Sequence, residues 1–189
     1  MSRNRLVAAS IDQTMVRTLP SDLLQAAKAG DDWAFEALLD PVIDPAFRLA
    51  WGMLHDRQAA EDAVQEASLL AWRKLASLRR QDGMRAWFFA IVANQCRQAR
   101  RGRWFSVLKL PDVRPAIKNA ENGTEPSTDL RRAIRSLGHR KRLVLVLYYY
   151  LDLPLSEIAS VVGGSEAAVK RMLYRTIHEL RPALVVKES

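Results

Sequence analysis

The sequence predicts an all-α protein made of two small helical domains joined by a linker. Apolar residues recur every three to four positions along most of the chain, which is the spacing of amphipathic helices. Hydrophobic residues make up 49% of the chain, enough to cover packed helical faces. Between residues 103 and 127 prolines, a glycine and polar residues interrupt this periodicity, which indicates a linker between two units.

The N-terminal domain is predicted to be a helical bundle over residues 21–102, preceded by an arm of residues 1–20. Pro41 and Pro45 should break or kink its second helix, because proline has no amide hydrogen to donate within a helix. Gly102 is expected to end its last helix. The predicted helices are Leu23–Ala29, Trp33–Leu54, Ala59–Leu78 and Met84–Arg101.

The C-terminal domain is predicted over residues 128–183, with a tail of residues 184–189. It ends in a short helix, Leu155–Val162, and a longer one, Glu166–Leu180, with Gly163, Gly164 and Ser165 between them. Two helices joined by a glycine turn, with a serine cap before the second, are typical of a helix-turn-helix that inserts its second helix into the DNA major groove. The alternative is an ordinary helical hairpin with a solvated charged face.

The second helix of this hairpin separates apolar from polar residues. Its predicted buried stripe consists of Val169, Met172, Leu173, Ile177 and Leu180. The polar side chains on the other surface and at the helix start could meet phosphates or base edges. These candidate DNA-binding residues are Ser165, Glu166, Lys170, Arg171, Tyr174 and Arg175.

Charge is distributed unevenly along the chain. The formal net charge is +8, which favours a polyanionic partner because cations released from DNA contribute to binding. Within the N-terminal domain acidic residues dominate up to Glu66, and arginines dominate after it. One face of this domain could therefore bind a protein and another a nucleic-acid backbone. Trp87 and Phe88 have the spacing of core residues, which leaves Phe89 as the more available ring for stacking on bases.

The sequence argues against an enzyme and predicts no metal, no cofactor and no small-molecule substrate. Cys96 is the only cysteine, so neither an intrachain disulfide nor a thiolate metal cluster is possible. No histidine accompanies the carboxylates of Glu61, Asp62 and Glu66 at metal-binding spacing. No apolar run has the length of a signal core or a membrane span, so a cytoplasmic protein without membrane contact is expected.

Three segments resemble the extracytoplasmic-function sigma factors of the sigma-70 superfamily. Residues 59–67 (AAEDAVQEA) with Ala71-Trp72-Arg73 resemble the polymerase-binding helix of that family, and Ala86-Trp87-Phe88-Phe89 with Asn94 and Arg97 resembles its promoter-melting helix. Glu157-Ile158-Ala159, followed by Gly163, Ser165 and Val169-Lys170, is similar to its fourth conserved region. The resemblance extends from Ser21 to Pro182.

This resemblance implies a dissociable specificity subunit of RNA polymerase. The acidic helix would dock on the clamp helices of the largest polymerase subunit through Glu61, Asp62, Gln65 and Glu66. The following loop and helix would bind the minus-ten promoter element through Arg79, Arg80, Arg85, Asn94 and Arg97. The six polar residues of the C-terminal helix-turn-helix would read the minus-35 element. The implied partners are core RNA polymerase, promoter DNA and an anti-sigma protein.

Two other functions remain open from the residues alone. A dimeric helix-turn-helix regulator would use the same DNA-binding helix without polymerase, but it gives no role to the acidic helix around Asp62 and Gln65. A sigma-like decoy would bind an anti-sigma protein and no promoter. Ala167 and Ala168 stand where the family commonly has a Gly-Thr pair, so the minus-35 preference is not predicted.

Overall fold

The computed structural model of the protein describes residues 20–109 and 127–184, with side chains over residues 23–101 and 130–182. Every regular element in these parts of the chain is helical, which confirms the predicted fold class. The helices are α1 (Pro20–Lys28), α2 (Asp32–Leu54), α3 (Arg57–Lys74), α4 (Met84–Lys109), α5 (Ser127–Ser136), α6 (His139–Leu145), α7 (Leu155–Val162) and α8 (Glu166–Leu184). We call α1–α4 the N-terminal bundle and α5–α8 the C-terminal bundle. Most of the predicted arm, linker and tail, namely residues 1–19, 110–126 and 185–189, lies outside the described residues.

Side-chain caps define where α2 and α3 begin. The Asp31 carboxylate accepts a hydrogen bond from the amide of Ala34 at 3.0 Å, and the Asp56 carboxylate accepts one from Ala59 at 2.9 Å. Such bonds satisfy amides that have no partner within the first helical turn. Between the two helices His55 adopts a left-handed conformation with φ of 52°, which ends α2 and reverses the chain.

Of the break or kink predicted at Pro41 and Pro45, the break is wrong, because α2 runs without interruption from Asp32 to Leu54. Each proline still removes one hydrogen bond along the helix. Ten residues of α2 are buried, among them Leu49 and Met53, which are fully inaccessible. Burial of apolar side chains is worth about 1.5–3 kcal/mol each, so tertiary packing outweighs the two lost bonds.

The helix end predicted at Gly102 is also wrong. Helix α4 continues through this glycine to Lys109. A glycine inside a helix costs roughly 1 kcal/mol relative to alanine, which weakens a helix but does not have to end it. The first seven residues of the predicted linker are therefore helical.

Small residues let the helices of the N-terminal bundle approach one another closely. The buried stripe of α3 contains four alanines, Ala60, Ala63, Ala67 and Ala71, and their side chains add little bulk. The larger apolar groups of the core come from α2 and α4. The acidic residues of α3 are consequently turned away from the core towards solvent.

In the C-terminal bundle α7 and α8 form the predicted helix-turn-helix. Gly163 follows α7 with φ of 67°, a left-handed conformation that glycine adopts without strain. The Ser165 hydroxyl accepts a hydrogen bond from the amide of Ala168 at 3.2 Å, which confirms the predicted serine cap. The predicted apolar stripe of α8 faces the core, joined by the fully buried Thr176, whose hydroxyl donates to the carbonyl of Met172 at 2.8 Å.

The two bundles pack directly against each other. Helix α7 lies along α4, and a π-helical turn, Val146–Tyr150, contacts α2. Buried apolar residues form one continuous cluster through both bundles, from Leu24 to Leu173. The guanidinium of Arg142 in α6, only 3% exposed, donates at 3.0 Å to the carbonyl of Met53 at the end of α2. The structure is thus a closed arrangement of the two bundles.

Candidate nucleic-acid and protein interfaces

The acidic residues of α3 lie on an exposed face of the N-terminal bundle. Asp62, Gln65 and Glu66 are all exposed, at positions that a helix brings to one side. Glu61 is at the flank of this face, where its carboxylate accepts a hydrogen bond from Arg57 at 2.8 Å. The Asp62 carboxylate accepts one from the Gln58 amide at 3.0 Å. The four residues predicted to bind polymerase thus form one surface, which we call the acidic face.

A groove between α3 and α4 borders the acidic face. Its volume is about 440 Å³, and both Asp62 and Glu66 line it from the α3 side. Gln95, Gln98 and Ala99 line it from α4. A groove with carboxylates on one wall and amides on the other fits a helix that carries basic and polar side chains.

Two exposed apolar residues continue the acidic face towards the end of α3. Leu69 is 48% exposed and Trp72 is 36% exposed, and helical spacing from Gln65 places both beside the carboxylates. The Trp72 ring packs edge-on against Phe35, with centroids 4.8 Å apart. Sequence reasoning named Trp72 only within the family resemblance and did not include Leu69, although Leu69 follows Gln65 by four residues and Trp72 follows Leu69 by three. Large apolar side chains at the centre of polar surfaces are typical binding hot spots.

A basic cleft lies where the N-terminal bundle meets α7. Its volume is about 760 Å³, and Arg79, Arg80 and Arg85 line it from the N-terminal bundle. Arg80 forms an ion pair with Asp82 at 2.6 Å. Arg85 donates to both carboxylate oxygens of Glu157 in α7. Three of the five predicted minus-ten residues are therefore brought together in one cleft.

Asn94 and Arg97 do not line this cleft. They lie about 14–18 Å further along α4 than Arg85, at a rise of roughly 1.5 Å per residue. Arg97 donates to the side-chain carbonyl of Asn94 at 2.5 Å, and both side chains are exposed. The five predicted residues therefore form two separate groups, a cleft and a stripe on α4.

The prediction that Phe89 is the available aromatic ring is wrong. Phe88 and Phe89 are both fully buried, whereas Trp87 is half-buried and lines the basic cleft. Helix α4 contacts α2, α3 and α7, so it is covered on several sides. A single amphipathic stripe cannot identify the exposed residues of such a helix. Trp87 is the ring that an unpaired base in the cleft could reach.

The predicted DNA-binding surface of α8 is exposed as a whole. Lys170, Arg171 and Arg175 are exposed, and Tyr174 is 72% exposed. Ser165 and Glu166 lie exposed at the start of the helix, where its positive dipole end favours phosphate. The capping bond uses an acceptor position of the Ser165 hydroxyl and leaves its hydrogen free to donate. We call these six residues the recognition surface.

A cluster of arginines surrounds two histidines at the junction of the bundles. Burial lowers the pKa of His139 to about 4, assisted by Arg100, Arg97, Arg142 and Arg101. The pKa of His55 is lowered by burial and then by Arg135, Arg142, Arg131 and Arg100. Each histidine thus lies near arginines of the opposite bundle, which disfavour its protonation through like-charge repulsion.

Acid is expected to separate the bundles. In the closed arrangement the pKa values of both histidines lie below the usual 6.5. The closed state therefore binds fewer protons than the open state. Closure is fully favoured above about pH 6.5 and weakens as the pH falls towards the lowered pKa values. Spin labels on cysteines replacing Glu36 and Lys170, both exposed, should report a longer and broader distance at about pH 5 than at about pH 7.5.

A matched set of variants tests this acid response. The double variant His55→Gln, His139→Gln should lose most of the pH dependence, because glutamine does not titrate in this range. His178→Gln, at an exposed position on α8, should retain it. A distance that stays constant between the two pH values in the unaltered protein would contradict the prediction.

Neither a membrane span nor a metal centre is found in the described parts of the chain. No helix there is both long and apolar enough to cross a bilayer. Among the same residues no group of three or more histidine, cysteine or acidic side chains could hold a metal ion. Cys96 is fully buried, and burial raises the pKa of its thiol to about 12, so it packs as an unreactive apolar group.

Comparison with known proteins links both bundles to one family. Residues 38–106 match the model of sigma-70 region 2, and residues 127–180 match that of sigma-70 region 4. The chain is 27% identical to RNA polymerase sigma factor SigV of Bacillus subtilis, over 75% of this chain and 86% of SigV. It is 29% identical to ECF RNA polymerase sigma factor SigM of Mycobacterium tuberculosis, over 79% of this chain and 76% of SigM.

Solved structures show the same fold. The sigma factor RpoE in complex with the anti-sigma factor NepR from Bartonella quintana aligns with a TM-score of 0.61 at 24% identity, covering 82% of this chain and 98% of RpoE. CnrH in complex with the cytosolic domain of CnrY aligns with a TM-score of 0.64 at 24% identity, covering 86% of this chain and 94% of CnrH.

Two bundles that match sigma-70 regions 2 and 4 are those of a transcription initiation factor, and the chain belongs to the sigma-70 family. Within that family it is a sigma factor of the extracytoplasmic-function (ECF) type, the type named for SigM of Mycobacterium tuberculosis. It directs promoter-dependent initiation of transcription by RNA polymerase, and sigma factors of this family are DNA-binding initiation factors and not enzymes in the ordinary sense.

Proposed function

We propose that the chain directs transcription initiation through three separate surfaces, each made of the residues described above. The acidic face binds core polymerase, the basic cleft with the α4 stripe binds the minus-ten element, and the recognition surface binds the minus-35 element. The observation that carries this proposal is the spatial separation of charge. The carboxylates of Asp62 and Glu66 border the groove on α3, whereas α8 and the cleft each present several cations.

The acidic face suits a helical protein partner. Its carboxylates would attract basic side chains of the polymerase clamp helices, and Leu69 and Trp72 would supply apolar anchors beside them. The groove next to Asp62 and Glu66 gives a helix a place to lie. Charged residues set orientation and association rate, while the apolar anchors supply most of the affinity.

The basic cleft suits an unpaired base of the minus-ten element. Opening DNA costs about 1.4 kcal/mol per base step, and holding a flipped base in a pocket offsets part of this cost. Arg79 and Arg80 would bind the phosphates, and Trp87 would stack on the base. No nucleotide hydrolysis and no cofactor are needed, so we assign the chain no catalytic activity of its own.

The recognition surface suits duplex DNA. Helix α8 presents Lys170, Arg171 and Arg175 on its outer side, and its start would point at bases in the major groove. The division into residues 21–102 and 128–183 would let each domain bind one promoter element. Two linked contacts strengthen each other only if the connecting segment can span both sites.

We also propose that an anti-sigma protein holds this factor inactive, since the neighbouring structure of RpoE is described as a complex with the anti-sigma factor NepR. The site of action would be the cytoplasm, where polymerase and promoters are. A decoy would bind the anti-sigma protein without any promoter, and the transcription experiment below separates these two functions.

Run-off transcription with bacterial core polymerase on a genomic promoter library tests the proposal. The protein should produce a specific set of transcripts, whose start sites supply the promoter sequence. The double variant Asp62→Arg, Gln65→Ala should abolish them, because it places a cation opposite basic polymerase residues and removes an amide. Glu36→Arg, an equivalent charge reversal at an exposed position of α2, is the matched control and should leave transcription unchanged.

Two results would contradict the proposed function. Binding to palindromic duplex DNA as a dimer, with no transcription in the presence of core polymerase, would favour the regulator. Transcription that survives the Asp62→Arg, Gln65→Ala variant would remove the acidic face from polymerase binding.

A further inference from the structure

A turn of two glycines connects the helices of the helix-turn-helix. Gly163 ends α7 in the left-handed conformation, and Gly164 follows it directly. Glycine loses more conformational freedom on folding than any other residue, so two in succession give this turn little rigidity of its own. Ser165 and Glu166, at the start of α8, come next. The direction in which α8 leaves the turn, and with it the position of the recognition surface, therefore depends on what holds these glycines.

An arginine from another helix holds the turn. Arg140, in the first turn of α6, donates from one guanidinium nitrogen to the carbonyls of Val162 and Gly163, both at 3.2 Å. These carbonyls lie at the end of α7, where the last carbonyl groups of a helix have no partners within it. A cation at this end is also favoured by the helix dipole. One distant side chain thus binds both the last residue of α7 and the first residue of the turn.

The neighbouring lysine makes a different contact. The Lys141 ammonium forms an ion pair with the Glu179 carboxylate in the second half of α8, and both side chains are close to half exposed. An ion pair in solvent contributes little stability, because water screens it and two long side chains lose freedom. Two adjacent cations of α6 therefore differ in what they hold: Arg140 binds the turn, whereas Lys141 binds the far half of α8.

We propose that Arg140 is a positioning residue for promoter recognition: by binding the carbonyls of Val162 and Gly163 it fixes the turn from which α8 enters the major groove. It acts through the orientation of Ser165 and Glu166 and not through a contact of its own with DNA. The proposal rests on the proposed function, because that function assigns the recognition surface to the minus-35 element. The contact lies within the C-terminal bundle, so it does not depend on how the two bundles are placed.

Amide hydrogen exchange in the full-length protein tests the contact itself. Arg140→Gln removes the charge and shortens the side chain, so the turn should open more often. The amide of Gly164, which donates to the Ala159 carbonyl at 3.0 Å, should then exchange about tenfold faster. Lys141→Gln removes a cation one position away and is the matched control, which should leave this rate unchanged. An unchanged rate in Arg140→Gln would show that the turn does not need the arginine.

The functional readout is the ratio of two promoter affinities of the polymerase holoenzyme. One promoter comes from the run-off experiment, and the other is the same promoter with its minus-35 element scrambled. Arg140→Gln should lower this ratio by roughly five- to tenfold, the size of one weakened base contact. A loss of folded protein would reduce both affinities equally and leave the ratio unchanged. Lys141→Gln should keep the ratio of the unaltered protein.

A second substitution in the turn separates positioning from a contact with phosphate. The φ angle of Gly164 is not in the positive range, and a Cβ atom added there would lie 3.8 Å from a guanidinium nitrogen of Arg140, an ordinary van der Waals distance. Gly164→Ala should therefore fit, stiffen the turn and by itself keep the unaltered ratio. In the double variant Arg140→Gln, Gly164→Ala the ratio should rise again by roughly two- to fivefold. Alanine could not replace a lost phosphate contact.

Three results would overturn the inference. Affinities that fall equally for both promoters in Arg140→Gln, together with a weaker salt dependence, would show that Arg140 binds a DNA phosphate. A double variant that does not recover, although Gly164→Ala alone keeps the ratio, would show that the arginine does not act through the turn. Failure of the proposed function is separately visible, because the unaltered holoenzyme would then not prefer the intact minus-35 element. Faster exchange at Gly164 in Arg140→Gln would remain, and Arg140 would hold the turn without a role in recognition.

Discussion

Replacing Phe88 by alanine will lower the free energy of unfolding by about 3–5 kcal/mol. The Phe88 ring is fully buried in the N-terminal bundle, so truncation removes its apolar burial and leaves a cavity that the surrounding helices cannot fill completely. A loss of this size is a large fraction of the stability of a small domain. Equilibrium unfolding in urea, followed by circular dichroism, measures it.

Trp87→Ala is the matched control, one position earlier on α4. Trp87 is half-buried and lines the basic cleft, so its loss should cost about 1–2 kcal/mol of stability. If the proposed minus-ten cleft is correct, the same change should reduce promoter opening by the polymerase holoenzyme, because the stacking ring is missing. Equal stability losses at the two positions would contradict the assignment of one ring to the core and the other to the cleft.

Replacing both Arg171 and Arg175 by alanine will weaken promoter binding by the polymerase holoenzyme by roughly 2–6 kcal/mol, at 1–3 kcal/mol for each contact with a base edge. Both side chains are exposed on the outer side of α8, where the proposed function places DNA. If they bind only phosphates, the loss will be smaller and uniform across promoter sequences, and the salt dependence of binding will fall instead. Competition binding at several salt concentrations separates the two cases.

The control for this variant removes two cations elsewhere. Lys28→Ala together with Arg48→Ala changes the net charge equally, at exposed positions of α1 and α2. The affinity of this holoenzyme for promoter DNA should stay within a few-fold of that of the unaltered holoenzyme. An equal loss in both double variants would indicate that overall charge, and not the recognition surface, determines binding.

Sequence patterns predicted best where local chemistry decides the outcome. The Ser165 cap and the apolar stripe of α8 depend on neighbours within one or two turns, and both are confirmed. The acidic face on α3 could be predicted for the same reason, because its residues are neighbours within one or two helical turns. The helix interruptions predicted at Pro41, Pro45 and Gly102 do not occur, because their local costs of a few kcal/mol or less are outweighed by tertiary packing or tolerated within a longer helix.

The amino-acid sequence by itself determined that the protein is helical, that its C-terminal domain contains a helix-turn-helix and that acidic residues dominate the N-terminal domain up to Glu66 and arginines after it. Only the tertiary structure decided which helices meet. Arg85 and Glu157 are 72 positions apart, and Arg142 and Met53 are 89 positions apart. Contacts of this kind depend on how two bundles dock, and helical periodicity carries no information about docking. The basic cleft that α7 helps to line, and the close approach of Gly52 to Val146, follow from that docking.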